Sequence, residues 1–232
     1  MEPTESPFRP PRRRPAHQTL ERILAAAEDQ LREQELELFT IQSVLLRTGL
    51  SVGAFYSRFP DKTALLHAVQ ERVHGRIEPL IIADVAAQAQ VSESLEEAVD
   101  HGFEILINRV LSERELFRAF MMLSVFDPLM RQKGEQFSLE RRRALTAMLA
   151  PHRGEIGHVD PDLAINTAFA VYSNVMRGRL VFYGSANEMQ FGITDETLFR
   201  QLKVSLARFL RGANQNPGIA PDLYAEQKET GR

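Results

Sequence analysis

A chain of 232 residues that is 44% hydrophobic and 25% charged can bury a substantial core. It has no cysteine, which excludes disulfide scaffolds, thiolate metal sites and cysteine nucleophiles. A formal charge of −3 is no general nucleic-acid signature, so any DNA-binding surface must be a local positive patch.

Residues 1–17 are rich in proline and arginine (PFRPPRRRPA) and read as a disordered arm. Arg9, Arg12, Arg13 and Arg14 leave two readings open, a tail that touches nothing and an arm in a narrow minor groove. From Thr19 the pattern changes: Leu20, Ile23, Leu24, Ala27 and Leu31 form one stripe of an amphipathic helix over 19–33. Further helices are predicted at 41–47, 52–58, 61–75, 77–90, 95–110, 113–126, 128–150, 161–183 and 195–211. Ser94 with Glu97 and Ser112 with Glu115 fit capping boxes. Asp127-Pro128 and Asp160-Pro161 place a cap before a first-turn proline, and Thr194 precedes Asp195 and Glu196 at a helix start. Sustained alternation and hairpin turns are missing, so the expected class is all-α.

Residues 40–62 read TIQSVLLRTGLSVGAFYSRFPDK. Thr40 caps a short helix, Gly49 supplies a left-handed turn, and Ser51 caps a second short helix. Val44, Leu45, Leu50, Phe55 and Phe59 should form the small core that ties both to the first helix. Two short helices across a glycine turn make a helix-turn-helix, whose second helix enters a major groove.

This segment resembles the TetR family of transcription regulators. The resemblance runs from Ile23-Leu24-Ala25-Ala26-Ala27 through Thr40 and Thr48-Gly49-Leu50-Ser51-Val52-Gly53 to Phe55-Tyr56-Ser57-Arg58-Phe59, Lys62 and Leu65. Glu35 departs from the family's usual glycine, Leu45 and Thr48 from its alanines, and Arg58 from a common histidine. The resemblance implies that Gly53 lets the second helix approach DNA, with Val52 and Ala54 at base edges and Ser57 on a base or phosphate. Ser51 belongs to the same surface, while Thr40, Tyr56, Arg58 and Lys62 hold phosphates.

Rival motifs carry less. Gly49-Leu50-Ser51-Val52-Gly53 also matches a hydrolase nucleophile elbow, but that motif needs a strand and a sheet. His67 and His74 stand about 10 Å apart along a helix, too far for one metal ion, and His152 and His158 read as loop residues. Arg141-Arg142-Arg143 reads as a solvated helix face rather than a second DNA site. No catalytic residues, cofactor or metal are expected. No apolar run reaches the roughly 18 residues of a membrane span, and no signal peptide is visible, so the expected compartment is the cytoplasm.

The expected organisation is the arm at 1–17, a three-helix helix-turn-helix domain at 18–75, a larger helical domain at 76–212 and a disordered tail at 213–232. The resemblance implies that the larger domain binds a small-molecule effector and pairs with a second copy through helices 161–183 and 195–211. Val175 and Leu202 are the residues whose replacement by arginine should break that pairing. Candidate pocket residues are Phe103, Phe117, Phe120, Met121, Phe169, Tyr172 and Met176, with Asn108, Asn174 and Arg177 as polar members. The leading functional expectation is a ligand-responsive repressor binding a palindrome as a homodimer. A nonspecific architectural DNA-binding protein and a small helical enzyme are the alternatives.

Overall fold

The apolar stripes fold as helices throughout the computed structural model, which describes residues 14–33, 36–182 and 192–212. They are α1 (Arg14–Glu33), α2 (Ile41–Thr48), α3 (Val52–Tyr56), α4 (Lys62–Ala89), α5 (Leu95–Leu111), α6 (Arg114–Ser124), α7 (Pro128–Leu149), α8 (Pro161–Phe182) and α9 (Asp195–Arg211). Short 3-10 turns occupy Leu36–Leu38 and Ala150–Glu155, and no strand occurs among the described residues. The fold is all-α. No described helix is long and apolar enough to cross a membrane.

The boundaries follow local chemistry. Thr40, Ser51, Asp61, Ser94, Asp127 and Thr194 each accept a first-turn amide through the side chain. Gly49 closes α2 at φ 64°, donating its N–H to the Leu45 carbonyl. Ser112 is different from expectation: it ends α5, its hydroxyl donating to Arg109 O at 3.0 Å, and Glu113 precedes α6 without capping it. The Glu113 carboxylate is engaged elsewhere.

Two other expectations change. α1 starts at Arg14, so residues 14–17, assigned to the arm, are helical, while residues 1–13, Glu35 and the tail 213–232 lie outside the described residues. The two helices expected at 61–75 and 77–90 are one, with Pro79 inside it, and it crosses the expected domain boundary at 75/76. Proline removes one backbone hydrogen bond and crowds the preceding turn. Burial outweighs that cost. Val69, Val73, Ile77, Ile81 and Val85 recur every four residues, all buried, and carry the apolar stripe straight through the break point.

At about 1.5 Å per residue, α4 is about 42 Å long and forms the spine. Its N-terminal half packs on α1, and it also packs on α5 and α7. α8 lies against α6, α7 and α9, and α9 against α5. Arg114 of α6 and Arg179 of α8 both pair with Asp195 at the start of α9.

Candidate nucleic-acid interface and cavity

The second short helix is held from beneath by aromatic rings. Phe55 and Phe59 are fully buried with centroids 5.6 Å apart, and Val44 of α2 is fully buried in the same core. Leu45 and Leu50 pack at its edge. This anchoring turns the other side of α3 outward: Val52 is 58% and Tyr56 52% exposed, beside exposed Gly53 and Ser57. Ala54 is half-buried. α3 ends at Tyr56, two residues earlier than expected, so Ser57 and Arg58 sit in the following turn.

Gly53 has no internal reason to be glycine. Its backbone does not have positive φ, and a Cβ built there meets nothing within 4 Å. A side chain would fit the free protein and add helix propensity.

The polar candidates differ in how far the fold already uses them. Thr40 Oγ1 accepts from Ser43 N at 3.1 Å and lies 2.7 Å from Ser43 Oγ. Ser51 Oγ accepts from Ala54 N at 3.2 Å, and the Ser57 hydroxyl donates to Ala54 O at 2.8 Å. Lys62 Nζ donates to Phe39 O at 2.6 Å and lies 5.2 Å from the Phe39 ring centroid. Lys62 thus ties the start of α4 to the turn before α2, with two ammonium protons left over. Ser51 stands between two helices, so the strand that a nucleophile elbow requires is not there.

Behind this unit lies a buried charge cluster. Glu28 of α1, 2% exposed, pairs with Arg32 at 2.9 Å, Arg72 at 2.6 Å and Arg76 at 3.0 Å. Arg32 and Arg76 also hold Glu113, at 2.9 and 2.7 Å. Burial pulls the Glu113 carboxyl upward, but hydrogen bonds from Arg32 and Arg76 outweigh it and hold the group below the usual carboxylate range. α1, α4 and the start of α6 are thereby joined through one set of ions.

α6 continues into the wall of a cavity of about 840 Å³. Phe117, Phe120, Met121, Phe169, Tyr172, Asn174, Met176 and Arg177 line it. Phe103 does not: it is buried, its ring 5.3 Å from Tyr172. Asn108 is on the outside, donating to Glu104 Oε1 at 2.9 Å. Asn174 and Arg177 are exposed members of the lining, bonded to each other at 3.2 Å.

The larger correction is Arg141, expected on a solvated face but only 8% exposed in the cavity wall. The signal was present, because Phe137, Arg141, Leu145 and Met148 fall on one stripe of α7, all buried. The histidines also find places. His74 stacks on Phe137 at 4.3 Å and on Phe117 at 5.9 Å, and burial, aided by Arg141 and Lys133, lowers its pKa to about 3. His67 Nε2 lies 2.6 Å from Asp127, and His152 Nδ1 2.8 Å from Glu155.

The outer faces of α8 and α9 carry apolar side chains: Leu163 (53% exposed), Val171 (44%) and Val204 (38%). Val175 and Leu202, expected on that face, pack against the protein's own core.

Comparison with known proteins agrees with this geometry. Residues 23–69 match the family model of bacterial regulatory proteins, tetR family. The fold is shared with a transcriptional regulator from Rhodococcus at 18% identity, covering 84% of this chain and 98% of that one, TM-score 0.62. It is shared with a tetR-family regulatory protein from Rhodococcus at 14% identity, covering 83% and 96%, TM-score 0.58. The TetR family transcriptional regulator PfmR from Thermus thermophilus is 18% identical over 84% of this chain and 96% of its own, TM-score 0.55. No curated protein matches the chain.

Proposed function

We propose that this protein, whose residues 23–69 match the tetR-family model, is a DNA-binding repressor of that family that binds a palindromic operator as a homodimer and releases it on binding a small molecule. The observation that carries the reading is Gly53, a glycine on an exposed helix face that the fold does not require. Close approach to another macromolecule accounts for it, and flanking Val52 offers an apolar contact to a thymine methyl. Tyr56, Ser57, Arg58 and the remaining protons of Lys62 are the phosphate grip, with Thr40 and Ser51 at its edge.

The exposed apolar residues of α8 and α9 support pairing with a second copy. Such a pair would hold two α3 helices about 34–36 Å apart, one turn of DNA. The cavity supports the effector. Its α6 wall leads to Glu113, which Arg32 and Arg76 tie to α1 and α4, so a shift of α6 would move the reader. A coupling of about 1–3 kcal/mol changes affinity about 5- to 150-fold, enough for a switch.

Selection from a random DNA pool at several salt concentrations tests the reading. A palindromic consensus is the expected outcome, while equal affinity for all sequences would favour an architectural protein. Val171→Arg combined with Val204→Arg should give folded monomers that lose operator affinity. Wild-type protein that stays monomeric at micromolar concentration, yet binds a palindrome tightly, would overturn the dimer.

A further inference from the structure

Arg141 brings a positive charge into the cavity wall and meets no carboxylate at ion-pair distance among the described residues. Its Nη1 donates to Tyr172 Oη at a long 3.4 Å, its guanidinium lies 4.7 Å from the Phe137 ring centroid, and its Nε is buried without an acceptor. Arginine does not shed its proton to relieve such a position. A buried charge with only a phenol and a ring against it is costly, and an anion arriving there would remove the cost.

The surroundings have the same bias. Arg131, Arg142 and Arg177 also line the cavity, against a single carboxylate among the described residues, Glu135. Arg131 and Arg177 are exposed, so they stand at the mouth, while Arg141 is the charge in the depth. His74 beside it stays neutral at pH 7, its pKa lowered to about 3 by burial and by Arg141 and Lys133. Ser173 Oγ, buried in the same lining without a partner, offers a further donor. Gln70 is also buried there, its Nε2 donating to Met130 O at 2.9 Å, and the rest of the deep wall is largely apolar: Phe117, Phe120, Phe169, Met130 and Met176.

The geometry points to an organic acid as the ligand: a monocarboxylate paired with Arg141, with an apolar or aromatic body against Phe117, Phe120 and Phe169. This rests on the reading that the cavity takes a small-molecule effector, and it narrows the effector to a class. One buried guanidinium matches one negative charge, and guanidinium geometry offers the parallel pair of donors that a carboxylate accepts. The positive mouth draws anions inward, and the aromatic walls reward an apolar tail.

The test titrates the full chain by calorimetry with 4-phenylbutyrate and octanoate, each against its primary amide, in the wild type, Arg141→Met and Arg141→Lys. The acids should bind the wild type about 10- to 100-fold more tightly than the amides. Arg141→Met should bring that ratio close to one while leaving amide affinity in place, and Arg141→Lys should fall between. Should Arg141→Met fail to fold, the wild-type ratio and the lysine variant still decide. Equal affinity for acid and amide, or an Arg141→Met protein that binds acids as well as the wild type, would overturn the inference while leaving a neutral effector open. If neither acids nor amides bind, the inference falls. Acids that bind through Arg141 yet leave operator affinity unchanged would uphold it and remove the effector reading instead.

Discussion

α3 and the cavity break the ordinary burial rule in opposite directions. α3 turns Val52, Tyr56 and a bare glycine to solvent, where polar side chains would serve the free protein equally well. The cavity takes Arg141 and the hydroxyl of Ser173 out of water without giving them adequate partners. Outside the cavity the buried Glu28 and Arg179 both have counter-ions. Glu28 is as buried as any charge among the described residues, yet it has three arginines around it. The contrast is between a buried charge whose counter-ions the fold supplies and one that meets none among the described residues, the position from which the proposed ligand is argued.

The comparison breaks most sharply at Gly53. Gly53→Glu should reduce operator affinity to the nonspecific level, at least about 10³-fold, with the melting temperature little changed. Gly53→Ala should leave stability unchanged or raise it by up to about 1 kcal/mol, yet still weaken the operator complex. Filter binding and thermal denaturation on the same preparations decide it. An alanine variant with wild-type DNA affinity would show that nothing approaches α3 closely.

The cavity side is sharpened by acid. His74 has a folded pKa of about 3, below the value of 6.5 for a free side chain. Between these values the unfolded chain takes up a proton that the folded protein refuses, so stability is present above pH 6.5 and is lost as pH falls toward 3. The slope from this residue is about 1.4 kcal/mol per pH unit. Titrating carboxylates add their own acid lability, so the measurement is a difference: His74→Phe, which can keep the stack on Phe137, should lose stability less steeply across that window in urea melts. Parallel curves for the two proteins would mean that His74 is not held neutral.

The smallest effect concerns Lys62, which holds the fold at Phe39 O and belongs to the proposed phosphate grip. Lys62→Gln should weaken binding to all DNA sequences alike and lower the salt slope by about one per subunit. Because Nζ also holds Phe39 O, it should cost about 1 kcal/mol of stability as well. A stability loss with an unchanged salt slope would assign Lys62 to the fold alone.

What could be read before the structure depended on how local its cause was. Thr40, Gly49, Ser51, Asp127 and Thr194 mark helix ends through contacts within a few residues, so their spacing carries the message. The stripe from Leu20 to Leu31 and the Phe55–Phe59 pair are likewise periodic, and the helix-turn-helix follows from them. Tertiary packing decided the rest. It carried α4 through Pro79 because Ile77, Ile81 and Val85 had a core to enter, and it left Val175 and Leu202 half-buried against that core. It diverted Glu113 from its own helix to Arg32 and Arg76, residues far away in the chain. Arg141 lies between the two cases: Phe137, Leu145 and Met148 marked its face, but only the assembly of α4, α6, α7 and α8 around it determined that no carboxylate among the described residues would meet it. Capping and amphipathic period act over one or two turns of helix, whereas the partners of a buried charge are supplied by segments that meet only in the folded chain.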